Sequence, residues 1–598
     1  MTNQDLIALS IYHESVAPYA YAHDGDLFVR LRIGARLVAR VEVAHFDKFN
    51  PNATKVITPA SWYAQDGSTH DVYQARLVRD TKRFKYCFVL YSGSETYWYS
   101  RRGLTTTDPD DPTDTFEVAY LGERDTYQPP TWSSGTTIYH IFPERYCRGH
   151  NASRTRHHFV DWDATPTRTN HFGGNLAGIV EKLDDLTDLG INVIYLTPIF
   201  RAPSNHKYDT VDYFAIDPQF GTEDDLRKLV SECHQRGLRI VLDAVFNHMG
   251  KHHPVFQDLL RKGKNSCYSE WIYPKSWPLS TKARNYETFA YEPRMPKWRT
   301  ANPEVEDYLC RVGEYWIDKA DIDGWRLDVS DEVEHAFWRH FRERVKARKP
   351  DALICGEIWQ LSSPWLQGDQ FDTVMNYPFA QAVIEWLARQ TIDAREFARR
   401  IEQLRIHYPE PVLPTLWNLV DSHDTPRLLT ECEGDTTQSR LASFVQFTMA
   451  GAPVLYYGDE VGMMGGADPL CRGGMVWDEA HRDTQLRHHY RALIALRQRF
   501  RALQEGTMRP LLSELWHQSY AYVRKIDFDH GSTQQETVIC LVNNAPEDIA
   551  LQLVDPQLPQ GRYECVFGSP LGAYADTGQV LAIPGKSASA WVWIEDKR

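Results

Sequence analysis

The chain has 598 residues, too many for one hydrophobic core, so several domains are expected. A formal charge of −14 works against nucleic acid and anionic membranes as partners, and no stretch is apolar enough to span a bilayer. The start, Met1-Thr-Asn-Gln-Asp5, lacks the basic and apolar runs of a signal peptide, and ten scattered cysteines without a CxxC pair fit a reducing cytoplasm.

Residues 1–126 read as β. Asp24-Gly25 is a hairpin signal, and after it Val29, Leu31 and Ile33 alternate with Arg30 and Arg32, the pattern of a half-buried strand. Phe84, Tyr86, Phe88 and Leu90 repeat the alternation, so an N-terminal β-sandwich is expected. Tyr127-Gln-Pro-Pro130 is the expected linker, because proline stiffens the chain and cannot extend a sheet.

Over 127–504 short apolar runs alternate with helical stretches. Strands are expected at Ile138–Phe142, Val193–Leu196, Arg239–Asp243, Gly324–Asp328, Leu353–Glu357, Thr373–Asn376, Leu416–Asp421 and Val454–Tyr456. Thr222 caps a helix that Gly237 ends, and Asn302-Pro303 starts another. Eight strand–helix units make an α/β fold, a (β/α)₈ barrel with its active site at the strands' C-terminal ends. Residues 249–300, rich in Tyr, Trp and Pro, are too many for a loop and predict a small lobe inserted after the third strand, over the pocket. The helix at 483–500 closes the barrel. Residues 505–598 return to β as a C-terminal sandwich, through Tyr520 and Tyr522, Thr537–Val542 and Ala590–Ile594.

Acidic residues end several of these runs, and a carboxylate at the end of a buried strand is costly unless it is used. Asp328 shares a strand face with Arg326, whose guanidinium is expected to lower its pKa and keep it ionised as a nucleophile; a plain strand-tying ion pair is the alternative. Glu357 lies between Gly356 and Ile358-Trp359, an apolar setting that favours the protonated form a general acid needs; capping the next helix is the alternative. Asp424, with His423, can grip adjacent hydroxyls, although Asp424-Thr-Pro426 also reads as a turn. Asp243, Asn247 and His248 end the third strand, Asp243 as a buried structural acid and His248 as a donor to a sugar hydroxyl. Carboxyl pairs converging on one pocket are what glycoside hydrolysis needs, and 18 Trp and 31 Tyr supply rings that stack on sugars or fill cores.

These segments resemble the shared motifs of the α-amylase superfamily, over nearly the whole chain. More narrowly the chain resembles the neopullulanase, cyclomaltodextrinase and maltogenic amylase group. The residues behind that are Ile138-Tyr-His-Ile-Phe-Pro-Glu-Arg145, His206-Lys-Tyr-Asp209, Met295-Pro-Lys297, Gly356-Glu-Ile-Trp359, Met375-Asn-Tyr-Pro378 and Asp468-Pro-Leu-Cys-Arg472. The resemblance implies Asp328 as nucleophile, Glu357 as acid/base and Asp424 as transition-state stabiliser. Arg326, His248 and His423 match residues around the sugar at the cleaved bond, and Tyr208 a ring beneath it. Asp468 and Arg472 match binders one sugar further in. Glu332, Phe289, Trp359 and Tyr377 match acceptor-side positions, with lobe or barrel packing as the alternative for the three aromatics.

The implied activity is retaining hydrolysis of α-1,4 bonds in cyclodextrins, maltooligosaccharides and pullulan, with α-1,6 cleavage open and transglycosylation on the side. No organic cofactor is needed, and a homodimer through the N-terminal module is implied. Two rivals stay open: a glucosyl transferase or isomerase on the same barrel, and a non-catalytic sugar-binding relative. The sequence also departs from the group. Val329-Ser-Asp-Glu332 stands where Val-Ala-Asn-Glu is usual, and Trp298 replaces a Leu. The group often binds calcium after the first strand through Asn and Asp, where this chain has Arg148, Gly149, His150 and Asn175. Arginine cannot ligate Ca²⁺, so that site is expected to be missing or severely weakened; no metal ligands are assigned, and bound calcium stays open.

Overall fold

Asp24 and Gly25 both take positive φ, 50° and 83°, and close a tight hairpin between Ala20–His23 and Asp26–Gly34. The computed structural model describes residues 2–50, 54–78, 81–109, 111–122, 126–150, 158–511, 518–527, 535–552, 554–569 and 572–594. The N-terminal strands form one bent nine-stranded arrangement whose two halves are joined by the pairing of Arg40–Asp47 with Val56–Asp66. Val29, Leu31, Ile33, Phe84, Phe88 and Leu90 fill its core.

Arg30 departs from the half-buried pattern, because it is fully buried. The barrel covers the face that the alternation leaves to solvent. Arg30 Nη1 donates to the carbonyls of Arg405, Ile406 and Tyr408 at 3.2, 3.1 and 2.8 Å. Those carbonyls lie at the C-terminal end of the helix Ala394–His407, where unpaired C=O groups and the helix dipole favour a cation. Tyr127, in the linker segment, is also anchored: it is buried and its hydroxyl contacts the Asp372 carbonyl and Thr415.

Eight parallel strands build the barrel, at Ile138–Ile141, Val193–Leu196, Arg239–Ala244, Gly324–Leu327, Leu353–Gly356, Thr373–Val374, Trp417–Asn418 and Ala452–Tyr456. A parallel bridge from Met375 to Trp417 closes the ring. Val193, Tyr195, Val241, Cys355, Met375, Trp417 and Val454 pack together in the inner core, where each buried apolar side chain contributes about 1.5–3 kcal/mol. The helices follow their caps. Thr222 forms a capping box with Asp225 ahead of Glu223–Gln235, and Asn302 accepts from Glu304 N ahead of Pro303–Ala320. Thr484–Arg499 is the last long helix before the C-terminal strands.

The insertion after the third strand folds around Phe256, Tyr286 and Trp298, and isolated bridges such as His248–Lys297 tie it to the barrel. The C-terminal strands make a six-stranded sheet faced by the pair Ile549–Gln552 and Val580–Ile583, with Leu551, Tyr563, Leu581 and Trp591 between them.

Candidate active site

The barrel register decides which side chains meet. Asp243 pairs with Arg326 across the third and fourth strands, and Leu327 pairs with Gly356 across the fourth and fifth. Asp328 and Glu357, each the residue after its strand, are therefore neighbours at the same rim. Arg326 is fully buried between them. Its Nη1 lies 2.9 Å from Asp243 Oδ2 and 3.0 Å from Asp328 Oδ1, and its Nη2 lies 2.9 Å from Glu357 Oε2.

Val329 follows Asp328 with φ 46° and ψ 45°, a left-handed conformation that a β-branched residue pays about 1–3 kcal/mol to adopt. The bend aims its N–H at Glu357 Oε2, 2.9 Å away. Trp359 Nε1–H reaches the other oxygen at 3.2 Å. Glu357 thus sits between two N–H donors and beside the Arg326 guanidinium, rather than in the apolar sleeve expected from Gly356 and Ile358.

Burial pushes the Asp328 carboxyl well above the usual aspartate range; the nearby Glu357 charge pushes the same way and Arg326 opposes both. The expectation that Arg326 keeps Asp328 readily ionised is corrected accordingly. A single cation two residues away does not outweigh desolvation plus neighbouring carboxylates on other strands. Burial also lifts Asp243 to about 6, against the pull of Arg326.

Asp424 joins through a relay. Tyr208 OH donates to Asp243 Oδ2 at 3.1 Å and stands 2.6 Å from His423 Nε2. The Tyr208 and His423 rings are nearly parallel, with centroids 5.5 Å apart. Asp424 Oδ2 lies 3.3 Å from the same His423 nitrogen, and Asp424 Oδ1 3.0 Å from Arg472 Nη2. Arg472 Nη1 is 2.9 Å from Asp468, and its Nε donates to the His423 carbonyl at 2.7 Å. Burial holds His423 well below its usual pKa and His248 down to about 3, so both rings are neutral hydrogen-bonding groups.

The lobe supplies the other wall. Phe289 stacks on His248 with centroids 5.1 Å apart, and Lys297 Nζ contacts Asn247 Oδ1 and the Glu332 carboxylate, the latter at 3.3 Å. Trp359 is 52% exposed and lies flat on buried Tyr377, centroids 3.9 Å apart, which presents a broad ring to the cleft.

All fifteen residues singled out from the sequence therefore fall on one connected site. Sequence reasoning missed Tyr195, whose hydroxyl donates to Asp243 at 2.6 Å; His140, 3.2 Å from His423; and Lys297. Tyr195 and His140 read as core residues within strands. Lys297 stood in a quoted motif, and its basic charge beside Glu332 was the available signal.

A (β/α)₈ barrel with acids at the C-terminal ends of its fourth, fifth and seventh strands, joined by one buried arginine and a Tyr–His relay, defines a glycoside hydrolase. The comparisons agree and narrow it. The model for the α-amylase catalytic domain matches residues 140–501, and that for the α-amylase N-terminal ig-like domain matches 7–122. The chain belongs to the α-amylase family, in the group of cyclomaltodextrinases, neopullulanases and maltogenic amylases. It is 44% identical over 578 residues to a cyclomaltodextrinase of Geobacillus thermopakistaniensis (strain MAS1), covering 95% of this chain and 96% of that one. It is 43% identical over 527 residues to neopullulanase 2 of Thermoactinomyces vulgaris, covering 87% and 89%. A solved cyclomaltodextrinase structure superposes with a TM-score of 0.90 at 39% identity, over 98% of this chain and all of that one.

Proposed function

We propose that this enzyme is a retaining α-glucan hydrolase in which Asp328 is the nucleophile and Glu357 the acid/base. The observation that carries the reading is Arg326, which touches both carboxylates and keeps them within one side chain's span. A retaining pair stands about 5–5.5 Å apart, an inverting pair about 6.5–9.5 Å with a water between.

In the first step Asp328 Oδ bonds to the anomeric carbon while Glu357 gives its proton to the leaving glycosidic oxygen. In the second, Glu357 takes a proton from water, whose oxygen displaces Asp328 and restores the α configuration. Asp424 and His423 hold hydroxyls of the same sugar as positive charge grows on the ring, and Tyr208 stacks beneath it. Asp468 and Arg472 bind the next sugar inward. Glu332, Phe289, Trp359 and Tyr377 receive the acceptor side, where a second sugar in place of water gives transglycosylation.

Cyclodextrins, maltooligosaccharides and pullulan are the substrates, supported by the names of the relatives and by the walled cleft. We also infer a homodimer through the N-terminal module, which narrows that cleft and makes bulk starch a poor substrate. A cytoplasmic location is supported by ten cysteines that all remain free thiols, nine of them buried. Side-by-side digestion of β-cyclodextrin, pullulan and starch tests the substrate reading. Rapid cleavage of the first two is expected, and a clear preference for starch overturns it. Sedimentation at several concentrations tests the dimer, against which a constant monomer stands.

A further inference from the structure

The resemblance brings a calcium site with it, just after the first barrel strand, and the described residues at that corner do not fit one. Arg148 Nε and Nη2 donate to the Phe172 carbonyl at 3.0 and 2.6 Å, and Nη2 donates to the Val160 carbonyl at 3.0 Å. Its guanidinium also faces the rings of Phe159 and Trp162, 5.4 and 5.7 Å from their centroids. Asn175 Oδ1 accepts from Gly149 N at 3.1 Å and Gly178 N at 2.8 Å, capping the helix Leu176–Val180. His150 holds Glu181 with its ring nitrogen at 2.8 Å and its backbone N–H at 3.1 Å. Ca²⁺ takes six to eight oxygens, and the oxygens named here already face N–H donors or a cation. Among the described residues no three His, Cys, Asp or Glu side chains gather as a metal-holding group.

We propose that Arg148 is an internal replacement for the metal. Its delocalised charge binds carbonyl oxygens that would otherwise call for a cation, and ties the loop after the first strand to 160 and 172. A guanidinium suits this because its rigid fork serves two acceptors at once. The tether lies beside the site. Arg145, on the short helix Pro143–Tyr146 just before that loop, donates to the Asn170 carbonyl at 3.0 Å and to the Arg472 carbonyl at 3.3 Å. The first-strand loop is thereby braced against the residue that holds Asp424, without a dissociable ion.

Thermal unfolding of the full-length enzyme, dialysed and then given EDTA or calcium, tests this. A ligand that binds only the folded state raises Tm with its concentration. The wild-type Tm is expected to agree in EDTA and in calcium within about 1 °C. Arg148→Ala is expected to lower Tm by about 2–4 °C in both, and Arg148→Lys to fall between, since an ammonium lacks the fork. The proposal is overturned by a wild-type Tm that rises several degrees with calcium, by an Arg148→Ala loss that calcium restores, or by an Arg148→Ala Tm equal to wild type. Should Arg148→Ala fail to fold, the wild-type comparison still decides.

Discussion

Nη2 of Arg326 stands 2.9 Å from Oε2 of Glu357, while its other terminal nitrogen holds Asp328 and Asp243. One guanidinium thus serves three carboxylates from three strands, a task for a planar fork and not for a point charge. Arg326→Lys is expected to fold and to lose about 10²–10³ in kcat, because the ammonium cannot keep both reacting carboxylates oriented. Arg326→Leu is expected to cost about 3–5 kcal/mol of stability as well, since it strands buried charge. Denaturant titration beside steady-state kinetics separates the two effects.

The pH profile carries a second prediction. Burial and Glu357 raise Asp328, so as pH falls the nucleophile is lost earlier than for an ordinary aspartate near 3.9. The acid limb of kcat/KM for an α-glucosyl fluoride, a substrate that needs no acid to leave, is expected above that value and is expected to move lower in Glu357→Gln, which removes the like charge. An acid limb at or below the ordinary aspartate range, or one that Glu357→Gln leaves in place, contradicts the arrangement.

Stability has its own pH window. Burial depresses His13, His253 and His489 to about 4 and His206 and His248 to about 3. Below about 6.5 the unfolded chain binds protons that these folded rings refuse, so stability is lost as pH falls from there toward 3–4. Buried Asp243, lifted to about 6, works the other way over the same range, so the test isolates one ring. Tm measured from pH 7 to 4 is expected to drop less in His13→Gln than in wild type, and an equal drop in both contradicts the burial of that ring.

Arg30→Ala is expected to cost about 2–4 kcal/mol, because three carbonyls at a buried helix end lose their donor. Calorimetry should show the loss with kcat little changed, since Arg30 binds the end of the helix Ala394–His407 and none of the catalytic acids. This effect was illegible in the sequence. Alternation across 29–33 marks the buried face correctly, but it holds no information on what docks against the other face. The barrel strands were legible for the opposite reason: each is a short apolar run ended by a polar or acidic residue, and local composition is enough. The left-handed Val329 gave no signal, because a β-branched residue argues against the conformation that the fold imposes on it. The pKa direction of Asp328 needed the fifth strand in place, which spacing along one strand cannot supply.

Lys297→Met is expected to release Glu332 and shift the ratio of transfer to hydrolysis by up to about fivefold, the weight of one half-exposed ion pair of about 1 kcal/mol. Product analysis on maltotriose reads the ratio directly; an unchanged ratio removes Lys297 from the acceptor side.

The central claim is a covalent bond from Asp328 to the anomeric carbon. In Glu357→Gln an α-glucosyl fluoride needs no acid to leave, while hydrolysis of the adduct lacks its base, so the glycosyl-enzyme should accumulate. Peptide mass mapping after that incubation is predicted to place one glucosyl unit on Asp328. A label on another carboxylate, or turnover to β-glucose with Asp328 unmodified, would contradict it.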